Sequence, residues 1–314
     1  MRQTGLARRG AALLAIALVA AACSSSTPST TKKGTLASTF VFGSPPDCAT
    51  NKFCATGLKN TYGIVFKELK SLDFGGPATR AALTSGAVQV GELFSTSIYD
   101  PTFVALKDDK HLEAADYLAP VVRTAVATPD VVSLLNGVSA KLTTENIVPL
   151  NKSFDVDHKD AKSIAKKFLT DNGLLASKTT TGAGKKITVG VSANFEESQI
   201  VAEMYAQVLE NAGYSISRKL TLAARAASDA ALFSGKIDIK PEYLASEAQK
   251  QDPNADVSGD PVHTAAVLKP LLAAKGVTLL NYSNLLDTNV FVVTQATAAR
   301  YSLVNVSDLA KPAP

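Results

Sequence analysis

The chain has 314 residues, 46% of them hydrophobic, 19% charged and 6% aromatic, with no Trp. That length and apolar content suit two ordinary domains or one large one, and an aromatic wall of any pocket has to be Phe or Tyr. The net charge of +4 falls to +1 without residues 1–23, because three of the 32 basic residues (Arg2, Arg8, Arg9) leave and all 28 acids stay, so no basic cluster points to nucleic acid.

In chain order, Met1–Arg9 is basic, Ala11–Val19 is apolar, and Ala20-Ala21-Ala22 leads into Cys23. Basic, apolar and small segments in that order describe a secretory signal. The apolar run is shorter than the roughly 20 residues of a membrane span. A Cys after small residues resembles the bacterial lipobox, which implies lipidation at Cys23 and a place on the extracytoplasmic face of the cell membrane; the other reading is an ordinary signal peptide that contains a Cys. Residues 24–35 read as a Ser/Thr-rich tether. Cys48 and Cys54 follow in a Pro-rich loop, and an exported pair this close predicts a disulfide. A zinc site would need four ligands, and His111, His158 and His263 are scattered.

An internal repeat organises the rest. Ala78–Phe94 (ATRAALTSGAVQVGELF) and Ala227–Tyr243 (ASDAALFSGKIDIKPEY) match at an offset of 149, with Ala78, Ala81, Ala82, Leu83, Ser85 and Gly86 identical to Ala227, Ala230, Ala231, Leu232, Ser234 and Gly235. Both copies read as helix, Gly stop and short strand. Leu69–Phe74 and Leu220–Leu222 precede them as candidate strands, and Thr39–Phe42 and Ile187–Val191 are candidate first strands. Two such units predict two α/β lobes with a cleft between them. In the second unit Asn194 is the expected N-cap of a helix whose apolar face runs from Ile200 to Leu209 and which stops at Gly213. A helix N-terminus directly after a strand offers N–H groups to a ligand.

Lys178–Lys186 (KTTTGAGKK) reads as a linker, and lacks the spacing of a phosphate loop. Asp155–Asp160 lacks the Gly and the closing Glu of a calcium loop. No catalytic motif and no cofactor signature is present in the sequence, so an enzyme is not expected.

Ile187–Tyr243 resembles the opening of the osmoprotectant-binding proteins of ABC importers, the glycine betaine, carnitine and choline receptors, through ITVGVSANFEES, YAQVLENAGY, RKLTL and ALFSGKIDIKPEY. Residues 39–174 resemble the second half of the same family through FVFGSPPDCATNKFCATGLKNTYGI, LFSTS, VALKDDKH, APVVR, VSAKLTTENIVPLNKSFDVD and FLTDNGL. The halves stand in the reverse of the family's order, which implies a circular permutation; the alternative is a fragment of a tandem or misassembled gene. The resemblance implies a two-lobed, type II periplasmic-binding-protein fold of the α/β class. Lobe B is expected at 36–115 plus 288–314, and lobe A at 116–287, with a linker at about 177–186. Hinges are expected at Tyr117–Arg123 and Asp287–Thr294.

The implied function is delivery of a quaternary ammonium solute to ABC permease subunits. Such a cation is held by aromatic faces. Tyr243 falls on a family cage position, and Phe94, Phe42 and Phe195 occupy comparable strand and helix ends. Ordinary core packing is the other reading for each Phe. Ser192, Asn194, Thr96, Arg225, Asp287 and Asn289 are the expected polar contacts. Two departures stand out: Val290 replaces a hinge aromatic, and Asn51 stands where many members carry an Arg suited to a carboxylate. A second functional reading keeps the fold but makes it a sensor or scaffold for a protein partner or a different solute.

Overall fold

A computed structural model of the chain describes residues 34–73, 75–192 and 196–314. Cys23, Asn194 and Phe195 lie outside them. Ten strands form two five-stranded mixed sheets. The first sheet has the order β2-β1-β3-β10-β4, with β1 Val41–Ser44, β2 Glu68–Ser71, β3 Val90–Phe94, β4 Phe103–Ala105 and β10 Asn289–Thr294. The second has the order β7-β6-β8-β5-β9, with β5 Leu118–Arg123, β6 Lys186–Ser192, β7 Ser215–Leu222, β8 Ile239–Tyr243 and β9 Val277–Leu279. In each, three strands pair in parallel, one strand (β10 or β5) pairs antiparallel with them, and an edge strand (β4 or β9) pairs antiparallel with that one, so four strands share a direction and one runs against it. The chain passes between the sheets twice, through residues 106–117 and 280–288. This is the two-lobed, type II binding-protein architecture.

The repeat governs the local structure. Helix α2 (Pro77–Thr84) leads to β3, and α7 (Arg225–Phe233) leads to β8. Gly86 and Gly235 follow these helices at φ +73° and +75°, a region open to glycine and costly for other residues. At Gly235 an added Cβ would also meet the Arg123 guanidinium at 3.1 Å. The strand ends Phe94 and Tyr243 keep the offset of 149.

Helix α6 (Glu196–Asn211) is the spine of the second lobe. Its buried Ile200, Met204, Tyr205 and Val208 pack with Val131 and Leu135 of α3 (Pro129–Ser139) and Phe168 of α5 (Ala161–Asp171). Helix α4 (Thr144–Asp155) is fixed at its start by a Thr143–Asn146 capping box. Helices α8 (Leu244–Gln251) and α9 (Pro261–Ala273) cover the sheet's other side. The first lobe is centred on Phe42, Phe66 and Phe291, with ring centroids 4.6 and 5.9 Å from Phe42. Phe42 and Phe291 are fully buried, and each such ring contributes roughly 1.5–3 kcal/mol of transfer free energy. The short helices α1 (Ala55–Gly57) and α10 (Gln295–Tyr301) complete the set.

Two expectations need correction. The strand expected at Thr39–Phe42 begins at Val41; Leu36–Thr39 is a 3-10 turn in which the Ser38 and Thr39 hydroxyls donate to the carbonyls of Thr35 and Leu36. Such local side-chain bonds compete with a sheet ladder. The segment expected as a linker is a packed turn. The N–H groups of Thr179 and Gly182 donate to the carbonyls of Asn211 and Ala212, and the Tyr214 ring lies against Gly182 where a Cβ would come within 2.2 Å.

The two ends of the described chain meet. Leu36 N donates to Lys311 O and Ala313 N to Gly34 O, each at 2.7 Å, around an antiparallel bridge from Thr35 to Pro312. Leu36, Phe40, Val306 and Leu309 share one core with Phe42.

Candidate functional site

Parallel strands that end together leave a crevice beyond their carboxyl ends. Here β3 and β8 bring Phe94 and Tyr243 to a shared cavity of about 420 Å³. The loop closed by the Cys48–Cys54 disulfide (Cα atoms 5.1 Å apart) supplies Pro45, Asp47, Asn51, Lys52 and Phe53 to one wall. The two crossing segments supply Glu113, Asp116, Asp287 and Thr288, the start of β10 supplies Asn289, and the second lobe adds Arg225, Ser246 and Gln249. A smaller cavity of about 290 Å³ lies beside it and shares Glu113, Ala114, Thr288 and Asn289 with it.

Tyr243 is 4% exposed. Its hydroxyl donates to Glu197, which also accepts from Asn151 Nδ2 at 2.8 Å, and Asn151 reaches the Thr96 carbonyl at 3.2 Å. Thr96 donates its hydroxyl to Asp287 at 2.8 Å. One chain of hydrogen bonds thus runs from the second lobe's strand end to the first lobe's. Asp116 accepts from the N–H groups of Ala245 and Ser246 and from the Ser246 hydroxyl, at the start of α8, where a carboxylate complements the helix dipole.

Behind Tyr243 lies a buried ionic cluster. Lys240, 1% exposed, donates to Asp229 and to Glu242, the latter at 2.7 Å. Glu242 also accepts from Arg225 Nε at 3.1 Å and from the Tyr243 backbone N at 2.9 Å. Burial opposes ionisation of Glu242, but Arg225 and Lys240 outweigh it and hold its carboxyl at about 2. Burial, then Glu242, pushes Glu247 up to about 8. Two cations thus face three acids, of which Glu247 is pushed toward its neutral form, which brings the cluster toward the charge balance that buried ions need. Asp229, Glu242 and Glu247 converge as metal ligands would, but the Lys240 ammonium sits among them. The other convergent set, Cys48, Cys54 and Glu92, has its sulfurs in the disulfide.

The cleft carboxyls are poorly solvated. Burial, then Asp47, lifts Glu92 to about 8. Burial, then Glu92 and Asp108, holds Glu113 well above the usual range. Burial, then Glu197, does the same for Asp287. Glu92 Oε2 lies 2.7 Å from Cys54 Sγ. A disulfide sulfur carries no proton, so a protonated Glu92 is the donor of that contact.

Of the residues expected from the sequence, Tyr243, Phe94, Arg225, Asp287 and Asn289 come together on the cavity wall. Thr96 is one bond behind it, on Asp287. Phe42 is fully buried between Phe66 and Phe291, so its side chain belongs to the core. Ser192 ends β6, half-buried, and does not line the cavity. Phe53, Glu92, Glu113, Asp116 and Gln249 were not expected. The signal for Phe53 was its place inside the disulfide loop.

The family described as the substrate binding domain of ABC-type glycine betaine transport systems matches residues 32–171 and 185–314. The chain belongs to this family. As a member, it is a substrate-binding protein of the ABC transporter class, whose members bind small solutes and permease components; the class is extracytoplasmic and not enzymatic. Among the described residues no helix is long and apolar enough to cross a membrane. Solved structures similar to this family member include an ancestral arginine-binding protein bound to arginine (14% identity, 86% of this chain and 91% of that one, TM-score 0.38). They also include the probable amino-acid ABC transporter extracellular-binding protein ytmK from Bacillus subtilis (10%, 87% and 89%, 0.42). A third is a phosphate-binding protein from Streptococcus pneumoniae TIGR4 (13%, 87% and 94%, 0.43).

Proposed function

We propose that this substrate-binding protein captures a quaternary ammonium solute in the cleft between its lobes and presents it to a membrane permease. The observation that carries the reading is the convergence of Tyr243 and Phe94, at equivalent strand ends of the two lobes, on one cavity with carboxyl groups around it. A quaternary ammonium offers no N–H donor, so ring faces and negative charge are what can hold it, at roughly 0.5–2 kcal/mol per ring. Phe53 supports the reading by adding a third ring to the wall. Titration calorimetry of the purified protein against quaternary ammonium compounds, with polyols and amino acids as controls, tests it. Saturable heat is expected only from the first group, and a preference for the controls would refute it.

We also propose lipid anchoring at Cys23, on the strength of the signal-like residues 1–22. Cys23→Ala should then shift the protein from the membrane to the soluble fraction, and unchanged fractionation would exclude the anchor.

We read the order in which the two resembling halves stand in the sequence as a circular permutation. The interval between the matched segments, residues 172–184, overlaps the packed turn that would join the old ends, and the present ends lie side by side.

A further inference from the structure

The seam where the two ends of the described chain meet borders a groove of about 740 Å³, far from the cleft. Val41, Lys67, Gln89, Arg300, Tyr301 and Ala313 are among its walls. Val41, Lys67 and Gln89 stand at the starts of β1, β2 and β3, and α10 follows the end of β10, which runs against them. The groove therefore occupies the amino end of the first lobe's sheet. The cleft lies at the carboxyl end, where Phe94 reaches it.

The charged side chains of the groove are of one sign. No Asp or Glu side chain lines it. Lys67 and Arg300 are exposed, and neither forms an ion pair among the described residues. Their backbones are well fixed. Lys67 N donates to the carbonyls of Ala37 and Phe40, at 3.3 and 3.0 Å, and the Thr294 hydroxyl caps α10 by accepting from Thr297 N at 3.2 Å. The Arg300 guanidinium lies 5.1 Å from the Tyr301 ring centroid, and that ring packs edge-on against buried Phe40 at 5.2 Å. A point cation and a planar fork of donors suit a phosphate, and a Tyr with an apolar body and a polar tip suits a membrane interface.

The chain itself brings such a surface within reach, an argument that uses the proposed anchor at Cys23 only for proximity. Ten residues lie between Cys23 and Gly34, and Gly34 O accepts from Ala313 N on the groove's wall. An anchored Cys23 then keeps the groove within about 40 Å of the bilayer even at full extension. Tethering of this length gives an effective concentration in the millimolar range, enough to fill a site too weak to act in free solution. Anionic headgroups supply the complementary charge, which strengthens attachment roughly fivefold for each Lys or Arg at the surface.

We infer that this groove seats the phosphate of an anionic phospholipid headgroup between Lys67 and Arg300, with Tyr301 at the headgroup level. Seated so, the first lobe rests on the bilayer by the end remote from the cleft, and the cleft faces away from the membrane. Delivery to a permease then requires release of the headgroup, so the groove holds a waiting posture.

The test is flotation of the purified chain from residue 24, which lacks Cys23 and keeps the whole compact unit Gly34–Pro314. The vesicles are phosphatidylcholine alone or an equal mixture with phosphatidylglycerol, at low salt. The chain beyond residue 23 carries a net charge of only +1, so net charge alone supplies little attraction. Partitioning onto the mixed vesicles should be at least about tenfold stronger. Lys67→Glu/Arg300→Glu should cut that preference to less than about threefold. Lys166→Glu/Lys250→Glu, which reverses two exposed cations on α5 and α8, should leave it within about threefold of the parent. Equal losses from the two pairs would mean diffuse attraction and overturn the inference, as would equal partitioning onto both kinds of vesicle. Saturable submillimolar heat from inorganic phosphate would reassign the groove to a free anion and overturn it too. The parent chain's preference needs no variant, so poor folding of a variant does not blunt the test. No acyl chain is involved, so the result is independent of the Cys23→Ala fractionation that tests the anchor.

Discussion

Glu92 touches the disulfide, lines the cleft and feels the charge of Asp47, and its protonation should be visible in stability. Its folded-state value of about 8 lies above the ordinary 4.5. Between those two values the folded state holds a proton that the unfolded chain releases, so stability falls as pH rises through the window. Glu242, held at about 2, works in the opposite sense and loses its contribution only as pH falls below the ordinary range. The melting temperature is therefore expected to peak near pH 5 and decline toward pH 8.5. Glu92→Gln should remove part of that decline, on the order of 1 kcal/mol; calorimetric scans of both proteins at the two pH values decide it, and parallel curves would clear Glu92 of the role. At Tyr243 ring and hydroxyl can be separated. Tyr243→Ala should weaken the solute by a few-fold to about 30-fold, the value of one cation–π wall. Tyr243→Phe keeps the ring and should hold affinity within a few-fold, but it leaves buried Glu197 one bond short, costing about 1–3 kcal/mol of stability. Equal affinity losses would make the hydroxyl the contact. Tyr243, Phe94 and Arg225 were legible in the sequence because the repeat places them at strand and helix ends. Glu113 and Asp116 were not, because they sit in a crossing segment whose sequence, HLEAAD, has no periodicity and acquires meaning only when the second crossing packs against it.

The disulfide loop is the element on which one wall of the cleft depends. Six residues of spacing make its closure entropy modest, so removing it should cost about 2–3 kcal/mol. Its larger effect should be on the solute, since Asn51, Lys52 and Phe53 take their positions from it. The paired substitution Cys48→Ala/Cys54→Ala is expected to weaken solute binding several-fold more than its stability loss alone implies, measured by calorimetry well below the melting temperature; unchanged affinity would show the wall to be self-supporting. Strands β3 and β8 were legible through their shared offset, and α6 through its apolar stripe. The start of β1 was not, because Ser38 and Thr39 satisfy nearby carbonyls with their own hydroxyls. Nor was the opposition of Pro120 and Pro241 across β5 and β8. Two prolines facing each other can only form a non-hydrogen-bonded pair. The missing N–H groups then fall on the outer edges of both strands, consistent with β6 and β8 pairing at the single position Val189–Ile239.

At the scale of the whole molecule, the order of the halves is the testable feature. A gene in which Pro314 is joined to Ser38 and new ends open within 178–185 should give a folded protein with the same solute preference. The Thr35–Pro312 bridge would be lost, but the core shared by Phe40, Phe42, Val306 and Leu309 would remain. A chain that fails to fold, or that folds and changes its preference, would count against the permutation reading. The two-lobed plan was legible in the sequence because the repeat announces two units. The acidity of the cleft was not, since the chain beyond residue 23 is nearly neutral and the cleft's acids are gathered from four separate segments.

The meeting of the ends also governs how the protein answers to load. Gly34 lies beside Ala313, and the two strands leave that point together. Tension applied to both termini would pull across the Leu36–Lys311 and Ala313–Gly34 bonds one after the other, as a zip opens, not along them all at once as in shear. The seam is thus a mechanical weak point. Drawn apart, it would expose Leu36 and Leu309 while the two sheets and the cleft between them stayed assembled.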